Sequence, residues 1–189
     1  MLYNLEITVG MKNIIRIVVL LLLCTVNLLA QNGTVTIKSL TADFKQTKTM
    51  KMLGGSMVSS GKMSYASPDK LRWEYTTPYA CTLVMNGQKV MFKRNGRKDV
   101  MDTQKNKMFR EIGNVMLGSV VVSSNQKQMN MPLSKQLRAI YKSVTLYFNQ
   151  HTHLVERIVM IEKNGDKTEI ELKNVTVNKN IPSDAFLLR

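Results

Sequence analysis

The sequence predicts a mainly β protein with short α-helices, in which one large, curved antiparallel sheet does most of the structural work. Three observations carry this: Asn-Gly turn signals between strand-like runs, period-two alternation along those runs, and scarcity of helical periodicity. In Leu71 to Tyr75 the side chains of Leu71, Trp73 and Tyr75 point one way and those of Arg72 and Glu74 the other, so one face is apolar and one charged.

The first thirty residues read as an export signal. Lys12 and Arg16 precede the apolar run Ile17 to Ala30, which is followed by the polar Gln31, Asn32 and Gly33. That run is short for a membrane span. Met11 is the better natural start, and cleavage is placed after Ala30. Cys24 offers a rival lipid-anchored site, but Leu23 before it is large for such a cleavage box. The mature chain, residues 31–189, is long enough for one domain with a substantial core.

The whole chain carries +14, and loss of the leader leaves about +13. Its basic residues are scattered on alternating strand positions instead of forming one run, so an anionic membrane surface or an acidic partner fits better than nucleic acid. Only Cys81 survives cleavage of the leader, so the fold must hold together by burial without an internal disulfide. Cys81 reads as a small buried strand residue.

Asn86-Gly87, Asn95-Gly96 and Asn164-Gly165 each separate two strand-like runs and predict tight antiparallel hairpins. The strands run Gly55 to Tyr65, Lys70 to Tyr75, Lys89 to Lys93, Lys98 to Met101, Ala139 to Phe148, Leu154 to Glu162 and Thr168 to Val177, with Ser67-Pro68-Asp69 joining the first two. Met57, Met63 and Tyr65 share a side with Gly61, and Leu83 and Met85 continue the pattern after the bend at Pro78. Val144, Leu146 and Phe148, then Ile158 and Met160, do the same in the second half. Ile170 and Leu172 are apolar on even positions but Val175 and Val177 on odd ones, which predicts a bulge or bend near Asn174.

Two stretches carry helical spacing. Met108, Ile112, Val115 and Met116 make one stripe of an amphipathic helix over Lys107 to Gly118. Ile37, Leu40 and Phe44 share a helical face in Thr36 to Lys48, although the threonines there allow a strand too. Such helices would have to lie on the concave face of the sheet, because nothing else is available to cover it.

Catalytic constellations are lacking. His151 and His153 sit in a polar stretch that reads as a turn, with no cysteine or acid at metal-ligand spacing, and there is neither a phosphate-binding glycine loop nor a nucleophile elbow. Methionine stands out instead. All of the 14 except Met1 and Met11 lie beyond the leader, many on the apolar face or the helical stripe. Flexible, polarisable methionine lets a surface adapt to irregular apolar guests, where a unique core favours branched residues.

Phe44 and Gln46 in ADFKQTK, Gly61-Lys62-Met63 running into Ser67-Pro68-Asp69-Lys70-Leu71-Arg72-Trp73, then Pro78, Leu83-Val84 and Asn86-Gly87 resemble the N-terminal half of the LolA family of periplasmic outer-membrane lipoprotein carriers. Leu146-Tyr147-Phe148, the Gly165-Asp166-Lys167-Thr168 hairpin, Asn174, Asn178, Ile181-Pro182 and Phe186 resemble its C-terminal half. The resemblance implies an incomplete antiparallel β-barrel whose hydrophobic cavity is covered by a helical lid. It implies a non-enzymatic periplasmic protein, monomeric and without cofactor or metal, that shields the acyl chains of lipoproteins. Its partners would be acylated lipoproteins, an inner-membrane ABC lipoprotein-releasing transporter and an outer-membrane acceptor. The alternative on the same scaffold is an outer-membrane lipoprotein acceptor or a carrier of other lipids.

Under this reading Met57, Met63, Leu71, Trp73, Tyr75, Leu83 and Met85 line the cavity, and Met108, Ile112 and Met116 form the inner face of the lid. Ordinary core packing is the competing reading for each. The chain departs from the family in three places. Ser67 stands where an arginine precedes the family proline, so a lid-holding role is not carried over, and Arg72 has the wrong parity to replace it. Val121 to Pro132 is short, which predicts loss of a strand. The chain ends soon after Phe186, which predicts no extra C-terminal strand.

Overall fold

The computed structural model describes residues 36–104, 111, 120–121 and 126–187. The amphipathic stretch Lys107 to Gly118, apart from Glu111, lies outside them, as does the leader. Thr36–Arg189 is one compact unit.

Ten strands form a single antiparallel sheet: β1 (Ser39–Met50), β2 (Gly55–Ala66), β3 (Lys70–Thr77), β4 (Cys81–Asn86), β5 (Lys89–Arg94), β6 (Arg97–Asp102), β7 (Gln128–Asn130), β8 (Tyr141–Phe148), β9 (Val155–Glu162) and β10 (Lys167–Val177). Their order is β6-β5-β4-β3-β2-β1-β10-β9-β8-β7. The two halves of the chain meet where β1 pairs with β10, and β6 and β7 are the edge strands among the described residues. The sheet is therefore open, and the chain between β6 and β7 has to pass from one edge to the other.

All three Asn-Gly signals fall at hairpin turns, but in different ways, and Asn164-Gly165 lies within the longer loop of residues 163–166 with positive φ at Gly165 alone. Asn95 and Gly96 both have left-handed backbone (φ 49° and 75°), the type I′ requirement, and join β5 to β6 in register from Arg94 opposite Arg97. In the β4–β5 hairpin Asn86 is already a strand residue paired with Lys89, and Gly87 supplies the positive φ. The Asn149–His153 turn between β8 and β9 is closed by Asn149 Oδ1, which accepts from the backbone N–H groups of His151 (3.0 Å) and Thr152 (2.9 Å). His151 and His153 are thus turn residues.

Within Thr36 to Lys48 the chain is strand from Ser39 onward: Leu40, Ala42 and Phe44 alternate inward along β1, and its β-branched threonines favour that choice over a helix. The expected bulge at Asn174 is present. Thr41 pairs with Thr176 but Asp43 with Lys173, leaving two β10 residues opposite one on β1, and Asn174 takes φ 52°.

Two expectations are corrected. Ala139 and Ile140 are not strand; they end a one-and-a-half-turn helix, α1 (Lys135–Ile140), capped by Ser134, whose hydroxyl accepts from Leu137 N–H at 3.3 Å. The short Val121 to Pro132 stretch keeps a strand: β7 pairs with β8 from Gln128 opposite Tyr147 to Asn130 opposite Thr145.

The core divides by face. The large cluster on the inner face joins Leu40, Phe44, Met63, Tyr65, Leu71, Trp73, Met85, Val90, Val144, Leu146, Phe148, Ile158, Ile170 and Leu172 across the sheet. A smaller one lies on the opposite face, where Val84 of β4 and Met91 of β5 bury Phe186, with Ile181 and Ala185 beside them. Alternation alone would leave the outer face polar throughout; the C-terminal segment makes a local exception. Asn86 Nδ2 fastens that segment by donating to the Phe186 carbonyl at 3.1 Å. A 3-10 turn over Ser183–Phe186 carries the phenyl ring inward.

Candidate functional site

The inner face is the feature that sequence and structure single out together. Strand parity sets it: odd residues of β2, β3 and β4 and even residues of β1, β8 and β10 point to one side. Among the described residues outside the strands, Val120, Val121, Met131 and Leu133 pack against it, beside Met129 of β7.

The residues selected from the sequence separate by burial. Met63, Leu71, Trp73 and Met85 are buried in the large cluster, and Tyr75 and Leu83 are half-buried against it. Pairing brings Met63 opposite Trp73, Trp73 opposite Leu83, and Leu71 between Tyr65 and Met85, so these six side chains form one patch over β2, β3 and β4. Met57 has the right parity but lies near the start of β2, beyond the cluster, and is 46% exposed. Met108, Ile112 and Met116 lie outside the described residues.

Sequence reasoning did not select Phe44, which forms the patch's aromatic centre. Its ring stacks on Trp73 (centroids 4.3 Å apart, planes at 30°) and meets Tyr75 edge-on (5.1 Å, 85°). Its alternation with Leu40 and Ala42 was the available signal. Tyr75 anchors the edge of the patch by donating its hydroxyl to Gln46 Oε1 at 2.9 Å. Burial pushes the Tyr75 phenol above the ordinary tyrosine value, with the nearby Trp73 indole opposing it, so it stays neutral. Among the described residues Trp73 Nε1 is buried near the Tyr75 hydroxyl but has no acceptor in good hydrogen-bonding geometry. An orphaned buried donor costs about 1–3 kcal/mol.

Other chemistry is sparse. A polar cavity of about 520 Å³ opens at the β3–β4 turn, lined by Arg72, Glu74, Tyr79, Cys81 and Arg94 among others. Burial pushes the Cys81 thiol up, with Arg94 opposing it, which disfavours the nucleophilic thiolate. Arg72 is paired with Glu74 (2.8 Å) and faces the C-terminal segment through the Ala185 carbonyl, away from Trp73. Among the described residues no cluster of three His, Cys, Asp or Glu side chains could hold a metal, and no helix is long and apolar enough to cross a membrane.

The described strands form an open antiparallel sheet that presents one broad apolar face. The family profile described as "Outer membrane lipoprotein carrier protein LolA" matches residues 35–189, and the chain belongs to that family. It is similar to an outer-membrane lipoprotein carrier protein of Chromobacterium violaceum, with 49% identity over 51 residues; the match spans 27% of this chain and about a quarter (24%) of that relative. Among solved structures it resembles a LolA superfamily protein from Nitrosomonas europaea (9% identity, TM-score 0.47, 82% of this chain and 92% of that one). It also resembles a DUF1329 family protein from Desulfovibrio piger (10% identity, TM-score 0.49, 82% and 93%).

Proposed function

We infer that this chain is a periplasmic carrier that shields the acyl chains of lipoproteins and moves them from the inner to the outer membrane. The observation that carries the reading is the continuous inner face of methionine and aromatic side chains over β2, β3 and β4, in a chain of the LolA family. Each methylene taken from water is worth about 0.8 kcal/mol, so an acyl chain does not leave a bilayer unless a comparable apolar surface receives it. Met63 and Met85 beside Trp73 supply a soft surface that re-packs around a flexible guest.

In this reading Met57, Met63, Leu71, Trp73, Tyr75, Leu83 and Met85 contact the guest. Lys107 to Gly118 acts as the lid, with Met108, Ile112 and Met116 facing inward. Packing of Val120 and Val121 on the inner face supports a crossing segment that covers it. Release needs no catalysis: the chains pass from an inner-membrane ABC transporter to an outer-membrane acceptor that binds them better, and the lid costs only the contacts of a short helix to open.

The test is incubation of the protein with a tri-acylated lipoprotein followed by co-purification. A soluble complex is expected, and cargo that aggregates as it does without the protein would remove the reading.

A further inference from the structure

The β1–β2 hairpin ends in Lys51-Met52-Leu53-Gly54, and its tip is the most exposed apolar feature of the described chain: Met52 is 87% and Leu53 78% exposed. Single exposed hydrophobic residues are ordinary. Here two adjacent ones stand at the end of a long hairpin, and a side chain built at Gly54 would meet nothing within 4 Å, so the tip projects clear of the fold. Its stem is held firmly. Lys51 N–H donates to Asp166 Oδ1 at 3.0 Å, tying the hairpin to the neighbouring β9–β10 turn, where the Lys51 side chain lies against Gly165.

Strand direction decides what surrounds this tip. β1, β3, β5 and β9 all end, and β8 begins, at the same end of the sheet as the tip. Beside the tip the register places a basic rim in Lys51, Lys163, Lys142 and Arg138, whereas Tyr79, Arg94 and Arg97 share that end of the sheet but stand level with Ser60 and Gly61 of β2, short of the tip. None of Lys51, Lys163, Lys142 and Arg138 is in an ion pair among the described residues. Glu162, the acid at the end of β9, is neutralised by Lys48 at 3.0 Å. Acidic residues occur at both ends, Asp99, Asp166 and Glu169 at the tip's end and Asp69, Asp102, Glu156 and Asp184 at the other. The apolar tip thus stands at an end of the sheet where basic side chains outnumber acidic ones.

We propose that the β1–β2 tip is a membrane-docking finger: Met52 and Leu53 enter the interface of an anionic lipid bilayer while the basic rim rests on its headgroups. Charge complementarity selects this occupant. Each Lys or Arg near an anionic surface strengthens the attraction, and the tip supplies a short-range apolar anchor. The finger is distinct from the inner face, so docking and acyl-chain shielding are separable functions of one sheet.

Flotation with vesicles of phosphatidylethanolamine containing a minor fraction of phosphatidylglycerol tests this. The wild-type chain floats with them at low salt and is released by high salt. Met52→Asp/Leu53→Asp weakens binding by about tenfold or more, and Lys51→Glu/Lys163→Glu by a similar factor, both with unchanged thermal unfolding and unchanged co-purification of acylated cargo. A Leu53→Cys variant in a Cys81→Ser background, labelled with a polarity-sensitive fluorophore, shifts to the blue on adding the same vesicles. Flotation of the tip variant equal to wild type overturns the proposal. So does a label that keeps its aqueous spectrum, or a wild-type dimer in solution that the tip substitutions dissolve.

Discussion

Phe44 on β1 and Trp73 on β3 stack across an intervening strand, and Gly61 makes the contact possible. On β2, Gly61 pairs with Phe44 on one side and Tyr75 on the other. Without a side chain there, the Phe44 ring lies over β2 and reaches Trp73 at 4.3 Å. A Cβ at Gly61 would sit 2.8 Å from Phe44 Cζ and 1.8 Å from the Glu74 carbonyl oxygen. The second clash is with backbone and cannot be relieved by a rotamer change. Gly61→Ala is therefore expected to cost about 3 kcal/mol or more in urea unfolding and to weaken the near-ultraviolet signal of the stacked rings.

Packing and ligand contact can be separated within the inner face. Leu71 is fully buried, so Leu71→Ala should destabilise by about 2–5 kcal/mol whatever its role toward a guest. Met57 is 46% exposed, so Met57→Asp should change stability by less than about 0.5 kcal/mol. The same variant should weaken binding of an acylated peptide severalfold by titration, because the carrier reading places Met57 against the guest.

The outer-face cluster makes a different prediction. Phe186 is buried against Val84 and Met91, and Phe186→Ala should cost about 3 kcal/mol and expose the C-terminal segment to carboxypeptidase. Capture of acylated cargo by the still-folded fraction should be unchanged, since this cluster lies on the other side of the sheet.

Asp43 couples the β10 bulge to pH. Its carboxylate accepts from Asn174 Nδ2 at 2.7 Å and pairs with Lys62 at 3.2 Å, and these contacts, the Asn174 bond foremost, hold its pKa below the ordinary 3.8. A depressed folded-state pKa contributes stability that is complete above the unfolded value and lost as pH falls through the folded one. Stability of the wild type should thus decline more steeply than that of Asp43→Asn as pH drops below 3.8, read from unfolding midpoints along an acid series.

Most of the sheet was legible because a half-buried strand writes its orientation as alternation. Met63, Leu71, Trp73 and Met85 were placed on one face by parity alone, and Ile170 and Leu172 against Val175 and Val177 located the Asn174 bulge. Legibility failed where elements are short or covered on both sides. Helix α1 has six residues and its apolar Ala139 and Ile140 run on into β8, so no period distinguishes helix from strand. Strand β7 has three, too few to alternate. Val84 and Met91 sit in unbroken apolar runs, the mark of strands covered on both faces, but what covers the outer one, Phe186, comes from nearly a hundred residues away. Phe44 was missed as the aromatic centre because its partner is two strands distant, a relationship fixed by register through Gly61 and not by local pattern.

Trp73 is the chain's single tryptophan, and it lies at the centre of the proposed acyl-binding face, so it reports directly on the central claim. The decisive measurement is Trp73 fluorescence during titration with a tri-acylated lipopeptide whose acyl chains carry bromine, a quencher effective only at contact. A carrier that shelters those chains on its inner face predicts strong, saturable quenching that the same lipopeptide without bromine does not produce. Undiminished Trp73 emission in the presence of bound brominated ligand would place the acyl chains elsewhere and contradict the account.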